Sequence, residues 1–169
     1  MKNLSLVAAI GRSNELGLDN HLLWKIKEDL MFYRNLTMHH NIIMGRKTLE
    51  SMPIGALKGR NPFVLSSRNL DRYIDVNSFT SLSSLLSYIE ISGDDFIVVG
   101  GTSIYKAFLP YVDTMYLTEI DENTEADTFF PNIDIHDWCV ETIFDHYRDY
   151  KHPNDISYMR NKYVRRRVK

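Results

Sequence analysis

Apolar residues recur along the chain in alternating short runs and helical stripes. Leu4-Ser5-Leu6-Val7-Ala8-Ala9-Ile10 is almost continuously apolar and predicts a strand covered on both faces rather than an edge strand. Residues 11–24 are rich in Gly, Asn and Asp and predict a long loop; a loop of that length inside a compact domain usually serves function. Ile26, Leu30, Phe32, Tyr33 and Leu36 fall near helical spacing, so a helix is predicted over about 27–38. The rhythm then repeats. Ile42-Ile43-Met44 predicts a short buried strand, and Gly45 leads into a helix near 46–50. A strand over 63–66 is followed by an amphipathic helix over 81–91 that carries Leu82, Leu85, Leu86 and Ile89. Phe96-Ile97-Val98-Val99 is the most hydrophobic strand, and Gly100-Gly101 joins it to a helix over 103–109.

After Pro110 the pattern changes. Residues 114–120 alternate as a strand, a long acidic loop follows, and 138–144 and 156–168 predict closing antiparallel strands. The expected class is α/β: a mixed, mostly parallel sheet with helices on both faces and antiparallel C-terminal strands. No repeat, low-complexity tract or linker divides the chain, so residues 1–169 are expected to form one domain.

Composition narrows the function by exclusion. The net charge of −2 supplies no basic field for nucleic acid or anionic membranes. The short run Arg165-Arg166-Arg167 reads as a solvated chain end. Cys139 stands alone, which excludes a disulfide framework or thiolate cluster; it reads as a small buried hydrophobe. The six histidines show no ligand spacing, and no metal is expected. The apolar run after Met1-Lys2-Asn3 is short and lacks a small-residue cleavage site, and no stretch reaches membrane-span length. The expected compartment is therefore the cytoplasm.

Two strand-to-helix junctions carry candidate chemistry. In Ile42-Ile43-Met44-Gly45-Arg46-Lys47-Thr48, a buried strand ends in glycine before two cations and a hydroxyl. In Phe96-Ile97-Val98-Val99-Gly100-Gly101-Thr102-Ser103, paired glycines precede hydroxyls and a helix. Helix N-termini offer free N–H groups, and glycine lets a phosphate approach the backbone. A dinucleotide pyrophosphate would use two such ends, although neither junction has the G-x-G-x-x-G fingerprint. Asp29, in Leu22-Leu23-Trp24-Lys25-Ile26-Lys27-Glu28-Asp29-Leu30, falls one turn inside a predicted helix. A carboxylate there suits the helix dipole, and Glu28 is a candidate for that role alone.

In combination these segments resemble the dihydrofolate reductases. Val7-Ala8-Ala9, Leu16-Gly17, Asn20, Trp24 and Asp29-Leu30 look like that family's opening. Ile43-Met44-Gly45-Arg46-Lys47-Thr48-Leu49-Glu50-Ser51 is similar to its most distinctive segment. Leu57, Gly59-Arg60-Asn61, Val64-Leu65-Ser66-Ser67-Arg68 and Val99-Gly100-Gly101-Thr102-Ser103-Ile104-Tyr105 follow in the family's order. So do Met115-Tyr116-Leu117-Thr118-Glu119-Ile120 and Ala126-Asp127-Thr128-Phe129-Phe130-Pro131, and the likeness runs from residue 4 to about 164.

The resemblance implies NADPH-dependent reduction of dihydrofolate. Asp29 would bind the pterin ring through two parallel N–H bonds, Thr118 would steady Asp29, and Trp24 would hold a water nearby. Val7, Ala8, Leu30, Tyr33, Met52, Leu57 and Val99 would line the folate pocket, with Arg60 gripping the α-carboxylate of the glutamate tail. On the cofactor side, Ala9, Leu16, Gly17, Asn20, His21 and Leu22 would meet nicotinamide and ribose. Gly45, Arg46, Lys47, Thr48, Ser66, Ser67 and Arg68 would hold the adenosine half and its extra phosphate. Gly100, Gly101, Thr102, Ser103, Ile104 and Tyr105 would cover the pyrophosphate. A monomer that can bind antifolate inhibitors is implied as well. Leu23 and Lys27 stand where the family usually has proline, Leu49 where it has an aromatic residue, and Tyr33 where it has phenylalanine. The competing readings are a ribosylamino-pyrimidine reductase of flavin synthesis on the same fold, and a non-catalytic pterin- or nucleotide-binding module.

Overall fold

A computed structural model describes residues 3–53, 55–73, 75–152 and 154–166. The strands are β1 (Leu4–Ile10), β2 (Glu15–Leu18), β3 (His21–Leu22), β4 (Asn41–Gly45), β5 (Asn61–Leu65), β6 (Asn77–Phe79), β7 (Phe96–Gly100), β8 (Thr114–Ile120), β9 (Thr128–Phe129), β10 (Trp138–His146) and β11 (Tyr158–Arg165). The helices are α1 (Lys27–Thr37), α2 (Arg46–Ser51), α3 (Leu82–Ser92) and α4 (Thr102–Phe108).

Eight strands form one sheet in the order β10-β11-β8-β1-β7-β4-β5-β6. The pairs from β8 to β6 are parallel, whereas β11 runs antiparallel to both β8 and β10. This is the mixed, mostly parallel sheet that the apolar pattern predicts.

Alternation along the central strands sorts their side chains into two cores. Leu4, Leu6, Ala8 and Ile10 of β1, with Phe96 and Val98 of β7, pack with Leu85, Ile89, Ile104 and Phe108 of α3 and α4. Val7, Ile97 and Val99 point the other way and pack with Ile42, Met44 and Leu49; Phe32, Tyr33 and Leu36 of α1 cover that cluster. A sheet covered on both faces needs nearly continuous apolar strands, which is why β1 and β7 lack a polar alternation. Leu49 is 5% exposed and fills core volume in α2.

Several expectations need correction. Residues 11–24 are not one loop: they contain β2 and β3, which form a three-stranded sheet with β9. Gly17 pairs with Leu22 and Leu18 with His21, so Asp19-Asn20 is a two-residue hairpin turn. Both turn residues adopt positive φ, +49° and +65°, a conformation that Asp and Asn tolerate. Strands of two to four residues are too short to show periodicity. The edge strand β6 (Asn-Ser-Phe) has no apolar signature in the sequence, because it is mostly polar. Cys139 is exposed, not buried, because β10 is the outer strand and most of its side chains face solvent.

The basic run is also not a free tail. Arg165 donates to the carbonyls of Val112 and Leu109 at 2.9 and 2.6 Å, and its guanidinium lies 4.2 Å from the Trp138 ring centroid. Arg166 donates to the Trp138 carbonyl at 3.0 Å. Arg167, and with it the predicted end of the last strand, lies outside the described residues. Arg165 closes the C-terminal hairpin onto the end of α4. Arg165→Ala is expected to destabilise the fold by about 1–2 kcal/mol, through two lost hydrogen bonds and the ring contact. A thermal melt with an unchanged midpoint would return Arg165 to the solvated-end reading.

Candidate active site

Adjacent strands β4 and β7 start α2 and α4 side by side, which brings the two glycine junctions together. A Cβ on Gly45 would lie 3.0 Å from Ile104 Cγ1, and one on Gly101 would lie 3.2 Å from Thr48 Oγ1. Each junction thus contacts the helix that begins at the other. Gly100 has φ +121°, and a Cβ there would meet the Tyr105 hydroxyl at 3.1 Å. The positive φ favours glycine, and a Cβ there would be crowded as well. The Gly100–Gly101 peptide is cis. Thr102 Oγ1 is buried at this junction without a hydrogen-bond partner.

The flanking residues complete a cradle. Asn20, in the hairpin turn, donates to the Lys47 carbonyl at 3.4 Å and brings the β2–β3 hairpin onto α2. Gly45 pairs with Leu65, so Ser66, Ser67 and Arg68 emerge beside Arg46. Ser66 Oγ bonds the Arg68 backbone and shapes that turn. Arg46 is engaged: it donates to Glu50 at 2.5 Å, and Arg72 meets the same carboxylate at 2.6 Å. The hydrogen bond from Arg46 holds the Glu50 carboxyl below its usual range. Ile104 and Tyr105 are core residues that support the junction, with Tyr105 Oη donating to the Val7 carbonyl at 2.9 Å. Burial pushes the Tyr105 phenol up. Ser103, His21 and Leu22 are exposed, Ala9 and Leu16 are half-buried, and Gly17 is buried.

The second centre is Asp29, in the first turn of α1. Thr118 of β8 donates to Asp29 Oδ1 at 2.5 Å. Arg160 of β11 donates to the same oxygen at 3.0 Å, and its Nε donates to Thr118 Oγ1 at 3.2 Å. Register explains this meeting: Thr118 is the direct cross-strand neighbour of Arg160 and, on its other side, of Ala9. The Arg160 guanidinium lies 4.0 Å from the Phe32 ring centroid and 5.4 Å from that of Phe144. Among the described residues, none donates to Asp29 Oδ2. The Trp24 indole N–H donates to Glu122 at 3.3 Å.

The expected substrate walls gather unevenly. Val7 and Val99 belong to one apolar cluster, with Tyr33, Met52 and Leu57 packed against it. Ala8 faces the opposite core, and Leu30 is 43% exposed beside Asp29. Arg60 donates to Thr37 Oγ1 at 2.8 Å and to the Ala56 carbonyl at 2.6 Å, with its guanidinium 5.7 Å from the Tyr33 ring centroid. Burial raises the Tyr33 phenol, opposed by Arg60. A recess of about 650 Å³ beside β8 and β11 contains none of the expected site residues.

The Dihydrofolate reductase family model matches residues 3–165. This chain belongs to the dihydrofolate reductase family. A dihydrofolate reductase from Staphylococcus haemolyticus is 33% identical over 152 residues, covering 90% of each chain. The Haemophilus influenzae dihydrofolate reductase is 35% identical over 144 residues, 85% of this chain and 87% of that one. A solved dihydrofolate reductase from Enterococcus faecalis, complexed with NADP(H) and RAB-propyl, superposes with a TM-score of 0.83 at 29% identity. It covers 96% of this chain, and 95% of its own length is matched.

Within this dihydrofolate reductase fold, four polar contacts were not read from the sequence. Arg160, Thr37 and Glu122 act through partners far apart in the chain. Arg160 left no trace either, since β11 also carries Asn161, Lys162 and Arg165. Asp127 is the fourth: its Oδ2 accepts from the Asp19 amide at 3.0 Å, and its own amide donates to the Gly17 carbonyl at 3.0 Å. It ties the hairpin turn to β9. Asp127→Ala is expected to speed hydrogen exchange at the Asp19 amide by about tenfold, the worth of one net hydrogen bond, with little change in melting temperature. Unchanged exchange would mean that the hairpin is held by other contacts.

Proposed function

We infer that this chain reduces 7,8-dihydrofolate to 5,6,7,8-tetrahydrofolate with NADPH, supplying reduced folate for one-carbon metabolism. The observation that carries the reading is the Asp29–Thr118 bond, placed at the edge of an apolar cluster in a chain matched by the family along nearly its whole length. Asp29 presents a carboxylate acceptor to the amino group and adjacent ring nitrogen of the pterin, a charge-assisted contact that sets ring orientation. Thr118 spends its proton on Asp29 and so fixes the carboxylate rotamer. Val7, Leu30, Tyr33, Met52, Leu57 and Val99 exclude water from the ring.

The paired junctions fit a dinucleotide. A Cβ on Gly45 or Gly101 would be crowded by the facing side chain, and the Thr102 hydroxyl, next to Gly101, is buried without a hydrogen-bond partner. Gly45 to Thr48 and Gly100 to Tyr105 would hold the pyrophosphate. Arg46, Ser66, Ser67 and Arg68 would hold the extra phosphate that distinguishes NADPH. Ala9, Leu16, Gly17, Asn20, His21 and Leu22 would meet the nicotinamide half. When bound, NADPH supplies a hydride from nicotinamide C4 to pterin C6, while N5 gains a proton. The β2–β3 hairpin, tied to α2 through Asn20, closes that end against water.

Residues 1–169 act as one domain and as a monomer in the cytoplasm, with no nucleic-acid or membrane partner, and antifolates compete at Asp29. Among the described residues no helix is long and apolar enough to cross a membrane, and no group of acidic, His or Cys residues could hold a metal.

Asp29→Asn is expected to lower dihydrofolate turnover by about 10²–10⁴-fold while NADPH affinity stays close to that of the parent, compared where both proteins are folded. Near-normal turnover would remove Asp29 from the mechanism. Arg60→Ala is expected to weaken dihydrofolate binding by roughly 2–5 kcal/mol and to spare a dihydropterin without the glutamate tail. Equal losses on both substrates would assign Arg60 to folding, through its bonds to Thr37 and Ala56.

A further inference from the structure

Arg160 is a cation, only 6% exposed, whose one ion-pair partner among the described residues is Asp29. A buried guanidinium is costly unless paired, so its position beside the substrate-binding carboxylate needs an explanation. The packing is specific. Arg160 is held between the rings of Phe32 and Phe144, its Nε is committed to Thr118, and a second nitrogen reaches Asp29 Oδ1. Thr118 and Arg160 both donate to Oδ1, and among the described residues nothing donates to Oδ2. Other ionisable groups near this end are Glu28, Tyr158 and the His146–Asp155 pair, and the Tyr158 phenol is raised chiefly by burial and then by Glu28.

We propose that Arg160 is a standing counter-ion of Asp29, a positioning residue that makes the site prefer a neutral pterin edge over a cationic ring of the same shape. This rests on the reading of Asp29 as the pterin anchor. A neutral ring needs only acceptor oxygens from Asp29. A protonated ring gains in addition from the net negative charge of an unopposed carboxylate. With Arg160 3.0 Å from Oδ1, that charge is already balanced, and a second cation meets repulsion at short range. Substrate binding keeps its geometry, while basic ring analogues lose their electrostatic advantage.

The test uses the NADPH-loaded enzyme with two ligands that present the same donor edge: dihydrofolate, and a 2,4-diaminopyrimidine basic enough to bind protonated. Arg160→Met retains much of the volume and removes the charge; Arg160→Lys restores it. In Arg160→Met, the ratio of dihydrofolate KM to diaminopyrimidine Kd should rise by about tenfold or more, with the lysine variant returning towards the parent. An unchanged ratio, or a lysine variant that behaves like methionine, would overturn the proposal. Calorimetry on the unmodified enzyme gives a second reading that needs no variant. Above the pH at which the free ring protonates, titration in buffers of different ionisation enthalpy counts the protons taken up with the ring. Uptake well below one proton is expected, and a full proton would overturn the counter-ion. Failure of the anchor reading looks different, since Asp29→Asn would then leave the affinity for both ligands unchanged.

Discussion

A carboxylate placed at the start of a helix, at only 18% exposure, must find donors or give up its site. Asp29 finds them on two strands, Thr118 and Arg160, which lie 89 and 131 residues away in sequence. Those two residues face each other across β8 and β11, and β8 in turn lies beside β1. The contact therefore requires the parallel centre of the sheet, its antiparallel extension and the helix over its face to be assembled together. Three distant segments of the chain meet at one oxygen atom.

The paired glycine junctions depend on a different constraint, close approach rather than charge. Two helices begin on neighbouring strands, and each presents a residue that fills the space beside the other's glycine, Ile104 against Gly45 and Thr48 against Gly101. Backbone N–H groups can converge on one phosphate only if nothing larger stands between them. Tyr105 secures this arrangement from below through its bond to the Val7 carbonyl. The same β1 residue lines the apolar cluster on the other face, so the two halves of the cleft share a support.

Polar side chains that act on one another, rather than on a ligand, set the tension in the site. Arg46 is partly satisfied by Glu50, Trp24 by Glu122, Arg60 by Thr37, and Asp29 by Arg160. The arginines and Asp29 have capacity left over, and each of these groups is held in a defined rotamer before a ligand arrives. Such prior ordering lowers the entropy that binding must remove, and it biases the site by charge as well as by shape.

Much of this architecture was legible in the sequence because local patterns carry it. Continuous apolar runs flanked by glycine marked β1, β4 and β7 as doubly covered strands. The order of Asp29, the two glycine junctions, Arg60 and Thr118 matched one family closely enough to name the candidate site. The rest depended on distance in space. The β2–β3 hairpin and β6 are too short or too polar to show a period, and β10 exposes Cys139 because nothing lies beyond it in the sheet. Arg165 looked like part of a solvated tail until the hairpin brought it onto Trp138 and the end of α4. Arg160 shows the limit most clearly. In sequence it is one arginine in a mixed strand, and only the register of β11 against β8 decides that its charge falls on Asp29.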